Sequence, residues 1–350
     1  MGSDPSAPGE ASSSTSELFG GIYARGDVAA AVSDEAWLQA MLDVEAALGG
    51  AALRAADVDL GELARETAEH ASPVVPLARR FAETHAGATS QDVLDTAMML
   101  LAKRALVPLR ADARAAADAA AALAVAHRDT PIMGRTLLQP ALPTSFGLKA
   151  AGWMASVDEA VAALDAVPLA VQMGGPVGHR DPAVASRVAQ ALSLAEPVLP
   201  WHTIRLRPAA LAAALGGLAG VLAKLARDVT LMPEVREGVP GRGGSSAIGH
   251  KRNPVASVSV LACARRTPGL VATMFAAMEQ EHERAAGAWQ AEWGTLTDLL
   301  RLVGSAAAWA RDLLEHLEVD ADAMRRTAGS APDLGASSLL IDRALAARGR

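Results

Sequence analysis

Apolar residues recur every three or four positions through most of the chain, a spacing that is typical of helices rather than strands. One such segment follows Ser33, which can cap a helix, and its first turn carries Asp34 and Glu35. We expect Gly49-Gly50 to end that helix. The same spacing predicts further helices near 60–70, 75–84, 93–127, 147–166, 208–230, 254–282 and up to about 316, with a short helix that ends at Arg350.

Composition supports the same fold class. Hydrophobic residues make up 51% of the 350 positions but aromatic residues only 3%, so Ala and Leu must supply most of the packing. Both residues favour helices, and runs of β-branched residues are few. The sequence therefore predicts an all-α protein.

Charge and cysteine content exclude several classes of protein. The net charge is −7 and no lysine-rich block occurs, which argues against a nucleic-acid surface. The single Cys263 excludes an internal disulfide framework and gives no metal cluster. Charged residues interrupt each apolar run before the roughly 20 residues that span a bilayer, and no basic-then-apolar signal segment precedes the helices. We expect a cytoplasmic protein with no membrane and no metal partner.

The chemistry is concentrated in the segment 243–254, which reads Gly-Gly-Ser-Ser-Ala-Ile-Gly-His-Lys-Arg-Asn-Pro. Its glycines give backbone freedom, and its hydroxyls, N–H groups and cations can bind an anion. A flexible basic linker is the simplest alternative. A phosphate-binding P-loop is disfavoured, because His250 follows Gly249 where that motif has Lys and no strand is predicted before the segment.

The pattern Gly-Ser-Ser-x-x-x-x-Lys-x-Asn resembles the signature loop of the fumarase/aspartase superfamily, and its longer form is most similar to the 3-carboxy-cis,cis-muconate cycloisomerases. The resemblance implies that Ser245 moves a proton at carbon while Lys251 and Asn253 stabilise the developing charge. It also implies substrate contacts at Ser246, His250 and Arg252. Ile248-Gly249 stands where the family usually has Met-Pro.

A second polar segment, Gly87-Ala-Thr-Ser-Gln-Asp92, precedes the long helix predicted from 93. Side chains at a helix start lie beside free N–H groups that attract anions, although a plain N-cap explains them equally well. The segment is similar to the first conserved region of the cycloisomerase branch, which makes Thr89, Ser90 and Gln91 expected substrate contacts. Asp92 and Asp95 suit the dipole of the helix that follows.

The third segment, 129–149, carries Arg135, Thr136 and Gln139 on one side of an apolar stretch, and its prolines keep its end irregular. It resembles the second conserved region, Gly-Arg-Thr-x-x-Gln-x-Ala-x-Pro, which implies three more substrate contacts. A buried helix start is the alternative. Leu137 and Pro140 occupy the two positions where family members carry a histidine, so neither histidine function can be transferred.

Two further runs belong to the same resemblance. Trp201-His-Thr-Ile-Arg205 keeps Arg205 as a candidate, while Ile204 and Leu206 replace polar family residues. The run 281–293, Glu-His-Glu-Arg-Ala-Ala-Gly-Ala-Trp-Gln-Ala-Glu-Trp, is close to the cycloisomerase pattern, with Gln290 in place of a histidine. Tryptophans that simply pack the bundle would explain Trp289 and Trp293 equally well.

The family fold implied is a bundle of long helices that forms a homotetramer, in which each active site combines regions from three subunits. We expect a disordered tail at 1–16, an N-terminal helical domain at 17–92, a central bundle at 93–316 and a shortened C-terminal helical region at 317–350. The expected substrate is a small di- or tricarboxylate, without a cofactor.

Three functions remain open at this stage. The first is a cycloisomerase that adds a carboxylate across a C=C bond. The second is a lyase of the same superfamily that eliminates a small stable anion from a substituted succinate. The third is an inactive helical scaffold, which Ile248-Gly249, Gln290 and the shortened C-terminus favour and the surviving polar set opposes.

Overall fold

The computed structural model describes residues 17–49, 54–80, 85, 87–329 and 332–348. The helices of this described part are α1 Glu17–Tyr23, α2 Val28–Ala31, α3 Asp34–Gly49, α4 Leu60–His70, α5 Val74–Arg80, α6 Ser90–Ala126, α7 Phe146–Asp165, α8 Pro182–Leu192, α9 Leu206–Leu231, α10 Val255–Ala276, α11 Ala288–Glu315, α12 Ala321–Ala328 and α13 Ser337–Arg348. The strands are β1 Pro131–Thr136, β2 Gln139–Ser145, β3 Val235–Glu237 and β4 Leu317–Val319. The predicted tail at 1–16 lies outside the described residues.

Five long helices, α6, α7, α9, α10 and α11, pack side by side as a bundle, which confirms the all-α prediction. The starts of α6, α9 and α11 lie together, because Arg205, just before α9, bonds to Asp95 of α6 and Glu292 of α11. We call this the cluster end of the bundle. The opposite, hairpin end holds β1 and β2 after α6, and β3 and β4 after α9 and α11.

The core of the bundle consists largely of alanine and leucine, as the composition predicts. On α6 a stripe of fully buried alanines recurs at helical spacing, and such small side chains let neighbouring helices approach closely. In the described part of the chain, α9 alone is long and apolar enough to cross a membrane. It packs against α7, α10 and α11, so its apolar composition matches a bundle helix.

Helix positions agree closely with the spacing of apolar residues. Ser33 caps α3, where its Oγ accepts the N–H of Ala36 at 3.2 Å, and the helix ends at Gly49 as predicted. Two boundaries differ. Helix α6 begins at Ser90 rather than 93, because Asp92 accepts the N–H of Thr89 and caps the earlier start. Helix α10 ends at Ala276 rather than 282, and the residues that follow lie at the cluster end, where Gln280 donates to Glu292 at 3.2 Å.

The segment 129–149, for which the sequence predicted only an irregular end or a helix start, forms an antiparallel hairpin of β1 and β2. A register shift at Gly134 and the exposed edges accommodate its prolines. A second small sheet pairs β3 with β4. The prediction that no strand precedes the signature loop was therefore wrong, although β3 has only three residues.

Candidate active site

The signature loop, residues 243–254, is closed at its base by the backbone. The N–H of Asn253 donates to the carbonyl of Gly243 at 2.7 Å, and Gly244 bridges Arg252. Gly243 has a φ of +77°, and a Cβ there would lie 2.3 Å from the Asn253 carbonyl oxygen. Only glycine fits this position, since a side chain would meet backbone atoms in a conformation that L-residues avoid.

Ser245 lies within this loop, and its hydroxyl is held by backbone donors rather than by a basic side chain. Its Oγ accepts the N–H of Ile248 at 3.1 Å and that of Ala247 at 3.3 Å. Donors of this kind stabilise negative charge on the oxygen. Lys251 is exposed and forms no ion pair with any described residue, so its ammonium group can meet a substrate carboxylate.

Glu237, on β3, anchors the far side of the loop. Its buried carboxylate accepts the N–H groups of Ala256 and Ser257, each at 2.9 Å, at the start of α10. Arg242 anchors the near side through a 2.6 Å bond to Asp312 of α11. The loop is thus exposed at residues 246–252, half-buried at Ser245 and Asn253, and held at both ends. The sequence analysis missed Glu237, whose only signal was a carboxylate before a glycine-rich loop.

The segment with Thr89, Ser90 and Gln91 lies at the cluster end, at the start of α6. Thr89 and Ser90 are half-buried, as expected of groups at the edge of a site. Gln91 is fully buried, and its amide donates to the carboxylate of Asp95 at 3.0 Å and to the carbonyl of His202 at 2.7 Å. Both donors of Gln91 are therefore engaged inside the protein, which differs from the direct substrate contact expected of it.

The sequence predicted that Asp92 suits the dipole of α6, and in the structure it also binds groups from two other segments. Its buried carboxylate accepts the N–H groups of Gly174 at 2.9 Å and Gly175 at 2.8 Å, which belong to a glycine-rich turn, residues 174–178, between α7 and α8. The Nε2 atom of His202 lies 2.8 Å from its Oδ1. Asp92 therefore fixes the turn and His202 against the start of α6.

Asp95, Arg205 and Glu292 form the centre of the cluster end. Arg205 is buried between the two carboxylates, at 2.6 Å from Asp95 and 2.5 Å from Glu292, and Trp289 donates to Asp95 at 2.9 Å. Burial, together with the nearby Asp95 carboxylate, raises the pKa of Glu292 to about 7 although Arg205 opposes the shift. Three motifs that are far apart in sequence thus meet in one buried cluster.

The hairpin carries the third predicted set, Arg135, Thr136 and Gln139. All three side chains are exposed, and Thr136 and Gln139 flank the turn at the tip. Arg135 lies 4.0 Å from the buried carboxylate of Glu234, and Glu234 Oε2 has no hydrogen-bond partner among the described residues. Leu137 and Leu138 form the turn, with φ values of 50° and 67°, and are 96% and 75% exposed. Two large apolar residues in this conformation, facing solvent, are unusual for a hairpin turn.

No hydrogen bond or ion pair in the described part links the signature loop to Thr89–Gln91 or to the hairpin tip. Among the described residues, no group of three His, Cys, Asp or Glu side chains is arranged to hold a metal ion.

A bundle of long helices whose glycine- and serine-rich loop presents a lysine and an asparagine is the architecture of a carboxylate lyase. The sequence family model described as Lyase matches residues 42–269. The chain belongs to the fumarase/aspartase superfamily of lyases.

Within that superfamily the chain is similar to cycloisomerases and to a nitrosuccinate lyase. It is 42% identical to a 3-carboxy-cis,cis-muconate cycloisomerase of Bradyrhizobium diazoefficiens, over 90% of this chain and 79% of that protein. It is also 42% identical to a nitrosuccinate lyase of Streptomyces davaonensis, over 89% of this chain and 76% of that protein.

A solved structure supports the same placement. The 3-carboxy-cis,cis-muconate lactonizing enzyme of Pseudomonas putida matches with a TM-score of 0.84 and 37% identity, covering 89% of this chain and 80% of that one.

Proposed function

We propose that the protein is a 3-carboxy-cis,cis-muconate cycloisomerase that acts as a cytoplasmic homotetramer. The observation that carries this proposal is the likeness to cycloisomerases along about nine-tenths of the chain, at 42% identity for the Bradyrhizobium diazoefficiens protein. The loop with the half-buried Ser245 and the exposed Lys251 supplies the groups that the proposed reaction requires.

In the proposed reaction a carboxylate of the substrate adds to a C=C bond and closes a lactone ring. Electron density moves onto the carbon next to another carboxylate, and that carboxylate carries the extra charge. Lys251 and Asn253 stabilise this charge, and Ser245 donates a proton to the carbon. In the reverse direction Ser245 is the base, assisted by the backbone N–H groups of Ala247 and Ile248.

The missing histidines are compatible with this chemistry. The group that leaves in the reverse direction is a carboxylate, which is stable as an anion near neutral pH and needs no general acid. Leu137 and Pro140 therefore cost a cycloisomerase less than they would cost an enzyme with an amine or hydroxide leaving group. Efficient hydration or amination of fumarate without activity on carboxymuconate would contradict this explanation.

The length of the bundle supports a site shared between copies of the chain. Helix α6 has 37 residues and would be about 55 Å long at 1.5 Å per residue. Thr89 caps this helix, Ser90 begins it, and the hairpin follows its other end, so one chain holds Thr89 and Ser90 far from the hairpin. The exposed apolar tip, Leu137 and Leu138, also favours burial against another copy. An active, stable monomer in gel filtration would contradict this part of the proposal.

A second candidate is a lyase that eliminates a small anion from a substituted succinate. The nitrosuccinate lyase of Streptomyces davaonensis is as similar as the first cycloisomerase, at 42% identity. Both reactions can use the same serine, lysine and asparagine, so the loop alone does not separate them.

A substrate panel separates the two candidates. The purified protein is assayed with 3-carboxy-cis,cis-muconate, whose conjugated diene absorbs in the ultraviolet, and in parallel with nitrosuccinate. We expect loss of the diene absorbance, abolished in Ser245→Ala and retained in Ser156→Ala, a serine on the exposed surface of α7. Turnover of nitrosuccinate alone would favour the lyase, and turnover of neither substrate by a folded oligomer would favour an inactive scaffold.

A further inference from the structure

We propose that Arg205 is a positioning residue for the substrate segment Thr89–Gln91, which it holds from inside the protein without contacting the substrate. The inference rests on the role in substrate binding that we propose for that segment. It assigns a function to the buried cluster, which the proposed reaction does not use directly.

The first step of the argument is the geometry of Arg205 itself. Its side chain is fully buried, and its Nη1 and Nη2 atoms donate to the two oxygens of Asp95 at 2.6 and 3.0 Å. Its Nε and Nη2 atoms donate to the two oxygens of Glu292 at 2.9 and 2.5 Å. A planar guanidinium can bind two carboxylates in this way, whereas an ammonium group cannot. Arg205 therefore fixes α6 and α11 relative to the start of α9.

The second step links this arginine to the substrate segment. Gln91 donates its two amide hydrogens to Asp95 and to the carbonyl of His202. Arg205 donates to the same two partners, at 2.6 Å to Asp95 and 3.2 Å to the His202 carbonyl. Both acceptors of Gln91 thus keep their places because Arg205 holds them. Gln91 follows Ser90 directly, so its position sets that of the helix start.

The third step concerns the run 281–293, which most resembles the cycloisomerase branch. Arg284 of this run donates to the Gln91 side-chain oxygen at 3.1 Å, and Glu292 of the same run holds Arg205. The run therefore fixes Gln91 twice, once directly and once through Arg205. Apolar packing alone can hold helices together. The bidentate ion pairs of Arg205 in addition give Asp95 and Glu292 a defined orientation.

The test compares Arg205→Lys with Arg301→Lys, since Arg301 is another nearly buried arginine, on α11, that pairs with Asp298. Lysine keeps the positive charge of Arg205 but cannot form bidentate hydrogen bonds to both Asp95 and Glu292. We expect amide hydrogen exchange in residues 88–96 of Arg205→Lys to accelerate by about tenfold or more, while the rest of the bundle keeps its protection. We expect kcat/KM to fall by about 10- to 100-fold. The control variant should change neither quantity.

Glu292→Gln provides a second variant if Arg205→Lys does not fold. It keeps the Asp95 contact and the shape of the site, so a smaller change in the same two quantities is expected. Unchanged exchange in residues 88–96 of the folded variants would overturn the positioning role, whatever the substrate. Faster exchange with unchanged kcat/KM would overturn it as well. Failure of the wild-type protein to turn over carboxymuconate would instead contradict the proposed function and leave the exchange result valid.

Discussion

The signature loop and the buried cluster show two ways of holding functional side chains. The loop carries the groups of the proposed reaction on a partly exposed segment, which is closed at its base by its own backbone and fixed at its ends by Glu237 and Arg242. The cluster contains no group of the reaction and is fixed from every side, through Asp95, Arg205 and Glu292. The difference indicates that this chain keeps its rigid parts inside the bundle. The groups of the proposed reaction lie instead on a loop that is partly exposed.

The comparison predicts the largest effect where the loop closes on itself. Gly243→Ala places a Cβ 2.3 Å from the Asn253 carbonyl, which must displace Asn253 and its neighbour Lys251. We expect kcat to fall by about 100-fold or more, because small displacements of reacting groups are costly. Gly220→Ala on the exposed face of α9, where a Cβ meets nothing within 4 Å, is the control. Activity near that of the control would show that the loop is not held by this contact.

We expect the buried cluster to make the unfolding free energy depend on pH. The folded protein raises the pKa of Glu292 from 4.5 to about 7, so between these values the folded state binds more protons than the unfolded state. Stability associated with Glu292 is therefore greatest below about pH 4.5 and is lost as the pH rises through about 7.

Glu292→Gln removes this titration. Compared with the variant, the wild-type protein should lose roughly 3 kcal/mol of unfolding free energy between pH 4.5 and 8, at 1.36 kcal/mol per pKa unit. Urea denaturation at a series of pH values measures the difference. Parallel pH profiles for the two proteins would contradict the account.

Substitution of Glu237 tests whether this carboxylate anchors the end of the signature loop. Glu237→Ala leaves the N–H groups of Ala256 and Ser257 without their acceptor, and we expect a loss of about 1–2 kcal/mol with a lower kcat. Glu318→Ala, on the neighbouring strand β4, removes an exposed ion pair with Arg236 and should cost less than about 1 kcal/mol. Equal losses in the two variants would mean that Glu237 is not an anchor.

The smallest effect is expected at the hairpin tip. Leu138 has a φ of 67°, a conformation that asparagine tolerates better than leucine. Leu138→Asn should therefore raise the unfolding free energy of the isolated chain by up to about 1 kcal/mol, measured by urea denaturation of dilute protein. A clear loss of stability would show that the leucine is buried by another part of the assembly.

The sequence predicted what depends on local patterns. Helix α3 follows from Ser33 and the apolar spacing, and the signature loop follows from glycine and serine next to Lys251. The hairpin was missed, because its prolines hide the strand pattern and its pairing depends on contacts between β1 and β2. The cluster was missed for a related reason, since Arg205 meets Asp95 from 110 positions away and Glu292 from 87.

We propose that one active site combines Thr89 and Ser90 of one chain with Ser245 of another, and mixed oligomers test this proposal most directly. Ser245→Ala and a Thr89→Ala/Ser90→Ala double variant are purified separately, each expected to be nearly inactive. They are then dissociated and reassembled together. The account predicts that the mixture regains carboxymuconate turnover, because some sites then receive both intact segments. Mixed oligomers that form but stay as inactive as the separate variants would contradict it.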